Sequence, residues 1–343
     1  MMHKLLQSAI CLTLSTILAA SLMLSRSSYG QSKRFFAEPQ STLLFSGQSA
    51  TDFLIVTPTG NFTVPGPPGS IMEISSPLPA LVPAGDQVAS SFRLPVGFVF
   101  VPCSKPGCAQ PRSAKYKSVM GVYSLRDKAW KLYGDFCFAG SAAFSPDGKR
   151  VAFEVTTRAD NPNCNSLPGS EMLMILDLET GQFTPVPDTE PVMGNTQLSW
   201  SPDGRHLAVQ FTKADTPHYL IVLIEIGSWV QNVIAEGTDP SWSPKGDWIA
   251  YHAQWNQTCM LIRPDGTGAK MVLDLRSRTS GRLLFKSGWL SYAATVWSPD
   301  EEKLLLHEEV MDGVNYNVTI LDLATGNTTA KSEKGGHRLW LGA

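Results

Sequence analysis

One turn is written four times in this chain, and it limits what the chain can fold into. Phe144-Ser145-Pro146-Asp147-Gly148, Trp200-Ser201-Pro202-Asp203-Gly204, Trp242-Ser243-Pro244-Lys245-Gly246 and Trp297-Ser298-Pro299-Asp300-Glu301 share an aromatic and a Ser-Pro pair, and three of them close on Gly. In such a turn Ser accepts a backbone hydrogen bond, Pro presets φ, and Gly supplies a positive φ. Glu301 departs from the pattern, and a longer turn is expected to absorb it. Each copy leads into a short apolar run: Val151-Ala152-Phe153, Leu207-Ala208-Val209, Ile249-Ala250-Tyr251 and Leu304-Leu305-Leu306. Each turn therefore joins two strands.

A second hairpin follows each first one. Met172–Leu178, Tyr219–Ile226, Cys259–Ile262 and Tyr316–Leu323 are rich in Ile, Leu and Val. They run into the turn signals Glu179-Thr180-Gly181, Ile226-Gly227, Pro264-Asp265-Gly266 and Ala324-Thr325-Gly326. Every repeat thus holds four strands, a to d, with the Ser-Pro turn between a and b. No stretch keeps a 3.6-residue period, which excludes a helical solenoid. Periodic four-strand units predict an all-β propeller.

Weaker copies complete the count. Leu43–Phe45, Asp52–Val56 and Asn61–Val64 read as b, c and d of a unit without its own strand a, and His337–Trp340 is an orphan strand able to supply it. Val88–Phe92, Phe98–Val101, Val119–Leu125 and Trp130–Tyr133 read as a to d of another unit. The aligned aromatics Phe92, Phe144, Trp200, Trp242, Trp297 and Trp340 then predict a six-bladed β-propeller over residues 41–343. Pairing of the N- and C-terminal strands would close it.

Residues 1–30 have the order of an export signal. His3 and Lys4 precede an apolar stretch from Leu5 to Leu24, and Ser28-Tyr29-Gly30 offers small residues for a cut before Gln31. An uncleaved anchor is the alternative, because about twenty apolar residues can just span a bilayer. Residues 31–40 read as a short linker. The expected location is periplasmic or secreted, with no membrane span once the signal is removed.

Charge narrows the partners. The chain has 28 Lys+Arg against 30 Asp+Glu, a formal net charge of −2. Without residues 1–30, which hold Lys4 and Arg26 and no acid, the balance is 26 − 30 = −4. Such near-neutrality gives no electrostatic case for nucleic acid or for an anionic membrane.

The Trp-Ser-Pro-Asp-Gly hairpins, followed by hairpins of the Ile-Leu-Asp-Leu-x-x-Gly kind at Ile175–Gly181 and Ile320–Gly326, resemble the WD40-like repeats of TolB-type propellers from about Ala139 to Lys331. The resemblance implies a six-bladed periplasmic propeller closed by its termini. The α/β domain that precedes the propeller in that family is expected to be missing, since about a dozen residues separate the signal from the first strand. The related prolyl-oligopeptidase-type propellers carry a hydrolase domain, and no Gly-x-Ser-x-Gly elbow occurs in this chain.

In such a blade the a–b and c–d turns share one face of the disc, and the b–c and d–a connections share the other. Here the first set is short. The second is long: Pro65–Gln87, Pro102–Lys117, Thr156–Ser170, Leu275–Ser291 and Glu309–Asn315. Lengthened loops on a rigid scaffold are where function concentrates. The five cysteines after the signal fall at this end, and the expected disulfides are Cys103–Cys108 and Cys137–Cys164, with Cys259 as a buried free thiol. No C-x-x-C pair or zinc-finger spacing occurs.

Nine residues after each motif Ser stand Glu154, Gln210, His252 and His307, at the end of strand b that faces the decorated side. His and Glu both suit first-row metals, so these four are the candidate ligand-binding residues, and a divalent metal is the one cofactor they could hold. The competing expectation is that they merely cap exposed strand ends. No nucleophile, acid pair or phosphate loop is evident. The sequence therefore predicts a non-catalytic, monomeric binding or scaffold protein that holds a protein, peptide or envelope component on its loop-rich face. The alternative is a propeller-based lyase or hydrolase acting on a saccharide or small molecule at that face.

Overall fold

The computed structural model describes residues 42–46, 53–57, 60–68, 70–72, 80–81, 86–102, 109–156, 172–189, 197–212, 219–253, 258–274, 294–309, 315–334 and 338–341. The export signal, the linker, and Cys103, Cys108 and Cys164 lie outside them, as does most of each long connection except Pro102–Lys117, of which 109–117 are strand rather than loop. The described residues are all β. They form six antiparallel sheets, five of four strands and one of five.

Four sheets follow the four turn motifs. Their strands run Phe138–Phe144, Arg150–Thr156, Met172–Asp177 and Phe183–Pro185; then Ser199–Trp200, His206–Thr212, Tyr219–Glu225 and Gln231–Glu236; then Thr238–Trp242, Ile249–Ala253, Thr258–Ile262 and Lys270–Asp274; then Ala294–Trp297, Lys303–Glu309, Asn315–Asp322 and Thr328–Lys334. The register repeats: Phe144, Trp200, Trp242 and Trp297 pair with Val151, Leu207, Ile249 and Leu304. In a further sheet Arg338–Leu341 pairs with Thr42–Ser46, followed by Phe53–Thr57 and Gly60–Val64, and Trp340 stands opposite Leu43. The C-terminal strand thus occupies the position of strand a in the N-terminal sheet.

Cores form between consecutive sheets. Ala143, Ala152, Leu173 and Ile175 of one sheet pack on Trp200, Leu207, Val209, Val222 and Ile224 of the next. Ala208, Ile221 and Leu223 meet Trp242, Ile249, Tyr251 and Ile262 in the same way, and Ala250, Cys259 and Leu261 meet Trp297, Leu304, Leu306 and Leu321. Each fully buried large side chain contributes about 2 kcal/mol. Two of the three motif tryptophans also tie sheets together, Trp242 Nε1 having no hydrogen-bond partner among the described residues. Trp200 Nε1 donates to the Ala143 carbonyl at 3.1 Å, and Trp297 Nε1 donates to the Ser241 carbonyl at 3.0 Å. Arg150 lies 4.9 Å over the Trp200 ring.

The turns close as their residues dictate. Gly148, Gly204 and Gly246 donate to the carbonyls of Ser145, Ser201 and Ser243 at 2.9, 2.9 and 3.0 Å. Glu301 does not lengthen its turn, contrary to expectation. Its N–H donates to the Ser298 carbonyl at 3.0 Å, and it takes a φ of 64° itself. A neighbouring turn explains the exception. Lys245 stands where the other turns carry Asp, whose carboxylate accepts the N–H two residues on; Lys245 brings a cation and its own backbone N–H instead. The Glu301 carboxylate accepts that N–H and lies 3.6 Å from the Lys245 ammonium.

The sheet before Phe138 departs from the sequence reading. Val88–Phe92 and Phe98–Val101 are not strands a and b but parts of one strand, Gln87–Pro102, paired throughout with Ala109–Ser124. Pro95 and Gly97 read as breakers, yet the register shifts between them and the strand continues. The place of strand a is taken by Ile71–Met72 and Ala80–Leu81. Leu81 pairs with Val88 as Trp200 pairs with Leu207. Leu81 therefore holds the strand-a place of the motif aromatics, and Phe92 does not belong to that set. Phe92 is instead a buried strand-b residue whose ring stacks edge-on against Trp130, with centroids 4.8 Å apart.

Candidate functional site

The shared register places Glu154, Gln210, His252 and His307 on one rung of four successive sheets, three residues beyond Val151, Leu207, Ile249 and Leu304. The same rung in the other two sheets holds Ser91 and Ser46. All six positions are polar. The sequence reading missed Ser91 because it aligned Phe92 as a strand-a aromatic, and Ser46 because its strand a comes from the other end of the chain, so no Ser-Pro turn precedes it to count from.

The members of this rung whose side chains are described are not exposed. Ser91, Glu154, Gln210 and His252 are all buried; the His307 side chain lies outside the described residues. Gly140 makes room for Glu154, since a Cβ on that glycine would lie 2.6 Å from Glu154 Oε2. Two of the four reach strand a of the following sheet. Gln210 Oε1 accepts the backbone N–H of Asp239 at 3.2 Å, and His252 Nε2 lies 2.7 Å from Thr295 Oγ1. A third contact spans two sheets, from Gln197 Nε2 to the Thr295 carbonyl at 3.2 Å.

Thr295 links three groups. Its hydroxyl also bonds the Cys259 thiol, which sits directly across the strand pair from His252. The arrangement that satisfies both contacts runs His252 Nε2–H to Thr295 Oγ1 and Thr295 O–H to the Cys259 sulfur. Burial pushes the Cys259 thiol up to about 12. The thiol is free, buried and unreactive at neutral pH. Burial also pushes His252 down to about 4, so the imidazole is neutral, and its Nδ1 has no hydrogen-bond partner among the described residues.

Asp239 is the residue that sequence reading passed over. It occupies the irregularity between Thr238 and Ser241, where strand a bulges, and has a φ of 55°. Burial raises its carboxyl to about 7, against a hydrogen bond from Thr238 that lowers it. Three residues before the motif aromatic, as Asp239 is, stand Ser141 and Gln197 in the two preceding sheets. Ser141 Oγ and Gln197 Oε1 are buried without a hydrogen-bond partner among the described residues, as are Ser90 Oγ, Ser91 Oγ and Thr156 Oγ1. A buried polar atom left unmatched costs about 1–3 kcal/mol, so a cluster of them marks an end of the sheets built to meet water or a polar ligand. Among the described residues no group of three or more His, Cys, Asp or Glu could hold a metal ion.

Similar folds are known. A TolB from Acinetobacter baumannii aligns over 88% of this chain at a TM-score of 0.58 and 13% identity, and the chain spans 65% of that protein. A chain of a nidogen/laminin complex aligns over 88% of this chain and 98% of its own length, at a TM-score of 0.55 and 10% identity. The fold is a TolB-like β-propeller. An oligogalacturonate lyase in complex with manganese aligns over 82% of this chain and 74% of its own length, at a TM-score of 0.56 and 11% identity. No protein-family model matches the chain, and no curated protein sequence does. No helix among the described residues is long and apolar enough to cross a membrane.

Proposed function

We propose that the chain is an exported, non-catalytic binding or scaffold propeller that holds a protein, peptide or envelope component on the face of its b–c and d–a connections. The observation that carries this reading is the contrast between the two ends of the sheets. At one end every described Ser-Pro turn is closed by its own hydrogen bonds. At the other lie the buried polar atoms unmatched among the described residues, Trp242 Nε1 being the exception, and the strands Gln87–Pro102 and Ala109–Ser124 run on past their sheet. In this reading the six sheets are blades of one propeller over residues 41–343, closed by Arg338–Leu341, behind a signal at 1–30 and a linker at 31–40. The location is periplasmic or secreted. A Cys137–Cys164 disulfide fits the same picture. The Cys137 N–H donates to the carbonyl of Thr156, where the connection bearing Cys164 begins.

A second reading is favoured by one observation, the Asp239 carboxyl near 7. A carboxylic acid poised at neutral pH is suited to general acid–base work, so a lyase or hydrolase acting on a saccharide or small molecule is the alternative. Capture from envelope extracts with the immobilised mature chain separates the two. A discrete partner that is retained by Asp239→Asn supports the binding reading. Turnover on a polysaccharide and ester panel that is abolished by Asp239→Asn overturns it.

A further inference from the structure

From Leu94 to Pro102 and from Ala109 to Lys117 the paired strands have no third strand beside them among the described residues. The neighbouring strands reach only to Arg93 on one side and to Ser118 on the other. This two-stranded ribbon stands off the b–c end of its sheet. Its composition is unlike that of the chain as a whole. Between Arg93 and Lys117 there is no Asp or Glu, and Arg112, Lys115 and Lys117 all lie on the second strand. The near-neutral total therefore hides a local cationic segment.

The first strand contributes the opposite chemistry. Phe98 stands opposite Ala114, Val99 opposite Ser113, Phe100 opposite Pro111, Val101 opposite Gln110, and Pro102 opposite Ala109. Successive residues of a strand belong to opposite faces, so Phe98-Val99-Phe100-Val101 assigns apolar residues to both faces. A ribbon lying against one flat partner would alternate apolar with polar residues. Pro95, Pro102 and Pro111 remove backbone donors from the ribbon, which makes its edges poor templates for an added protein strand. Tyr116, exposed between Lys115 and Lys117, is the residue type that settles where an apolar layer meets water. Apolar rungs on both faces, flanking cations and a tyrosine between them match the interface of an anionic bilayer.

We propose that the ribbon Leu94–Pro102/Ala109–Lys117 docks the protein on an anionic lipid surface. The Phe98–Val101 rungs enter the headgroup–acyl boundary, and Arg112, Lys115 and Lys117 meet lipid phosphates. This deepens the binding reading above by naming a surface and a partner class, and it rests on that reading. The vesicle test below uses no protein partner, so its failure and a failure to capture a protein are separate results.

The experiment is co-sedimentation of the full mature chain with vesicles of phosphatidylcholine alone and of phosphatidylcholine with phosphatidylglycerol in equal parts. We expect at least tenfold tighter binding to the anionic vesicles, largely lost in 0.5 M salt. Each cation near such a surface is worth about fivefold, so Arg112→Glu, Lys115→Glu, Lys117→Glu together should weaken binding by at least a hundredfold. Phe98→Ser, Phe100→Ser should weaken binding to both kinds of vesicle. If the triple reversal lowers the melting temperature, Lys115→Gln, Lys117→Gln replaces it, with a loss of about twenty-five-fold expected. Equal binding to both vesicles that is unchanged in the charge variants overturns the proposal. So does retention on immobilised polyglutamate without vesicle binding, which assigns the ribbon to an acidic polypeptide.

Discussion

The same side chain behaves in opposite ways at the two ends of these sheets. In the a–b turns the Ser145 hydroxyl and the Lys149 N–H hold the Asp147 carboxylate below its usual range, and the Ser298 hydroxyl and the Glu302 N–H do the same for Asp300. In the c–d turns Asp177 and Asp322 each accept both the N–H and the hydroxyl of a threonine, at 2.7–2.8 Å, and are likewise lowered. At the far end burial raises Asp239 to about 7. The difference lies in what surrounds the carboxyl. Turn aspartates keep water on one side and donors on the other, whereas Asp239 has lost the water and gained a single hydroxyl. One end is built for closure, and the other carries polar groups that closure does not use.

The largest effect should come from removing what holds both ends in place. Deleting residues 336–343 strips Arg338–Leu341 from the N-terminal sheet and bares the edge of Thr42–Ser46. We expect loss of several kcal/mol, a melting temperature lower by roughly 10 °C or more, and aggregation on heating. A calorimetric scan that matches wild type would remove the terminal strand from any role in closure.

Glycines at the two ends provide a direct comparison. A Cβ on Gly237, at the loop-rich end, would meet the His252 carbonyl oxygen at 2.3 Å and the Tyr251 ring at 2.6 Å. Backbone cannot yield as a side chain can, so Gly237→Ala should cost about 3 kcal/mol. Gly204, in an a–b turn, has a φ of 69°, and a Cβ there would make only ordinary contacts, with Pro146 at 3.6 Å. Gly204→Ala should cost only the left-handed penalty of about 1–2 kcal/mol. Denaturant titrations that rank the two the other way would show the loop-rich end to be the more yielding one.

The smallest effect is the most diagnostic, because in wild type two terms oppose each other. The folded-state pKa of Asp239 is raised, so its stabilisation is full below pH 4 and is lost as pH rises towards 7. The folded-state pKa of His252 is lowered, so its stabilisation is full above pH 6.5 and is lost as pH falls towards 4. Both groups are buried, and each changes stability by about 2 kcal/mol between pH 7 and pH 5, with opposite signs. Wild type should therefore be nearly flat over that interval. Asp239→Asn should leave a protein less stable at pH 5 than at pH 7, and His252→Gln one more stable at pH 5. Flat profiles in both variants would mean that neither group is as dry as the structure places it.

Local chemistry made much of the fold legible in advance. Ser, Pro and Gly at fixed offsets define a turn wherever they occur, and alternating apolar runs on either side define the strands it joins. The orphan strand near Trp340 could be assigned because Thr42–Ser46 had no strand a before it in the chain. The polar rung was legible in four sheets for the same reason, since counting from the motif Ser reaches Glu154, Gln210, His252 and His307. What those side chains do there was not legible. Strand-end position suggested exposure, whereas Glu154, Gln210 and His252 are buried, and Gln210 and His252 meet strand a of the following sheet, whose approach no local spacing records.

By itself the sequence determined the repeat, the register within each well-kept hairpin and the end at which the long connections gather, because these follow from contacts a few residues apart. Tertiary structure alone decided the rest. It continued one strand through Pro95 and Gly97, since pairing along Ala109–Ser124 outweighs two local breakers, and so moved Phe92 out of the aromatic set and raised a ribbon above the sheet. It placed Glu301 in a left-handed turn beside Lys245, and it set Asp239 and His252 in dry surroundings where their ionised forms are disfavoured. Each of these depends on residues far apart in the chain, and dielectric surroundings and sheet-to-sheet contacts exist only once the sheets have packed.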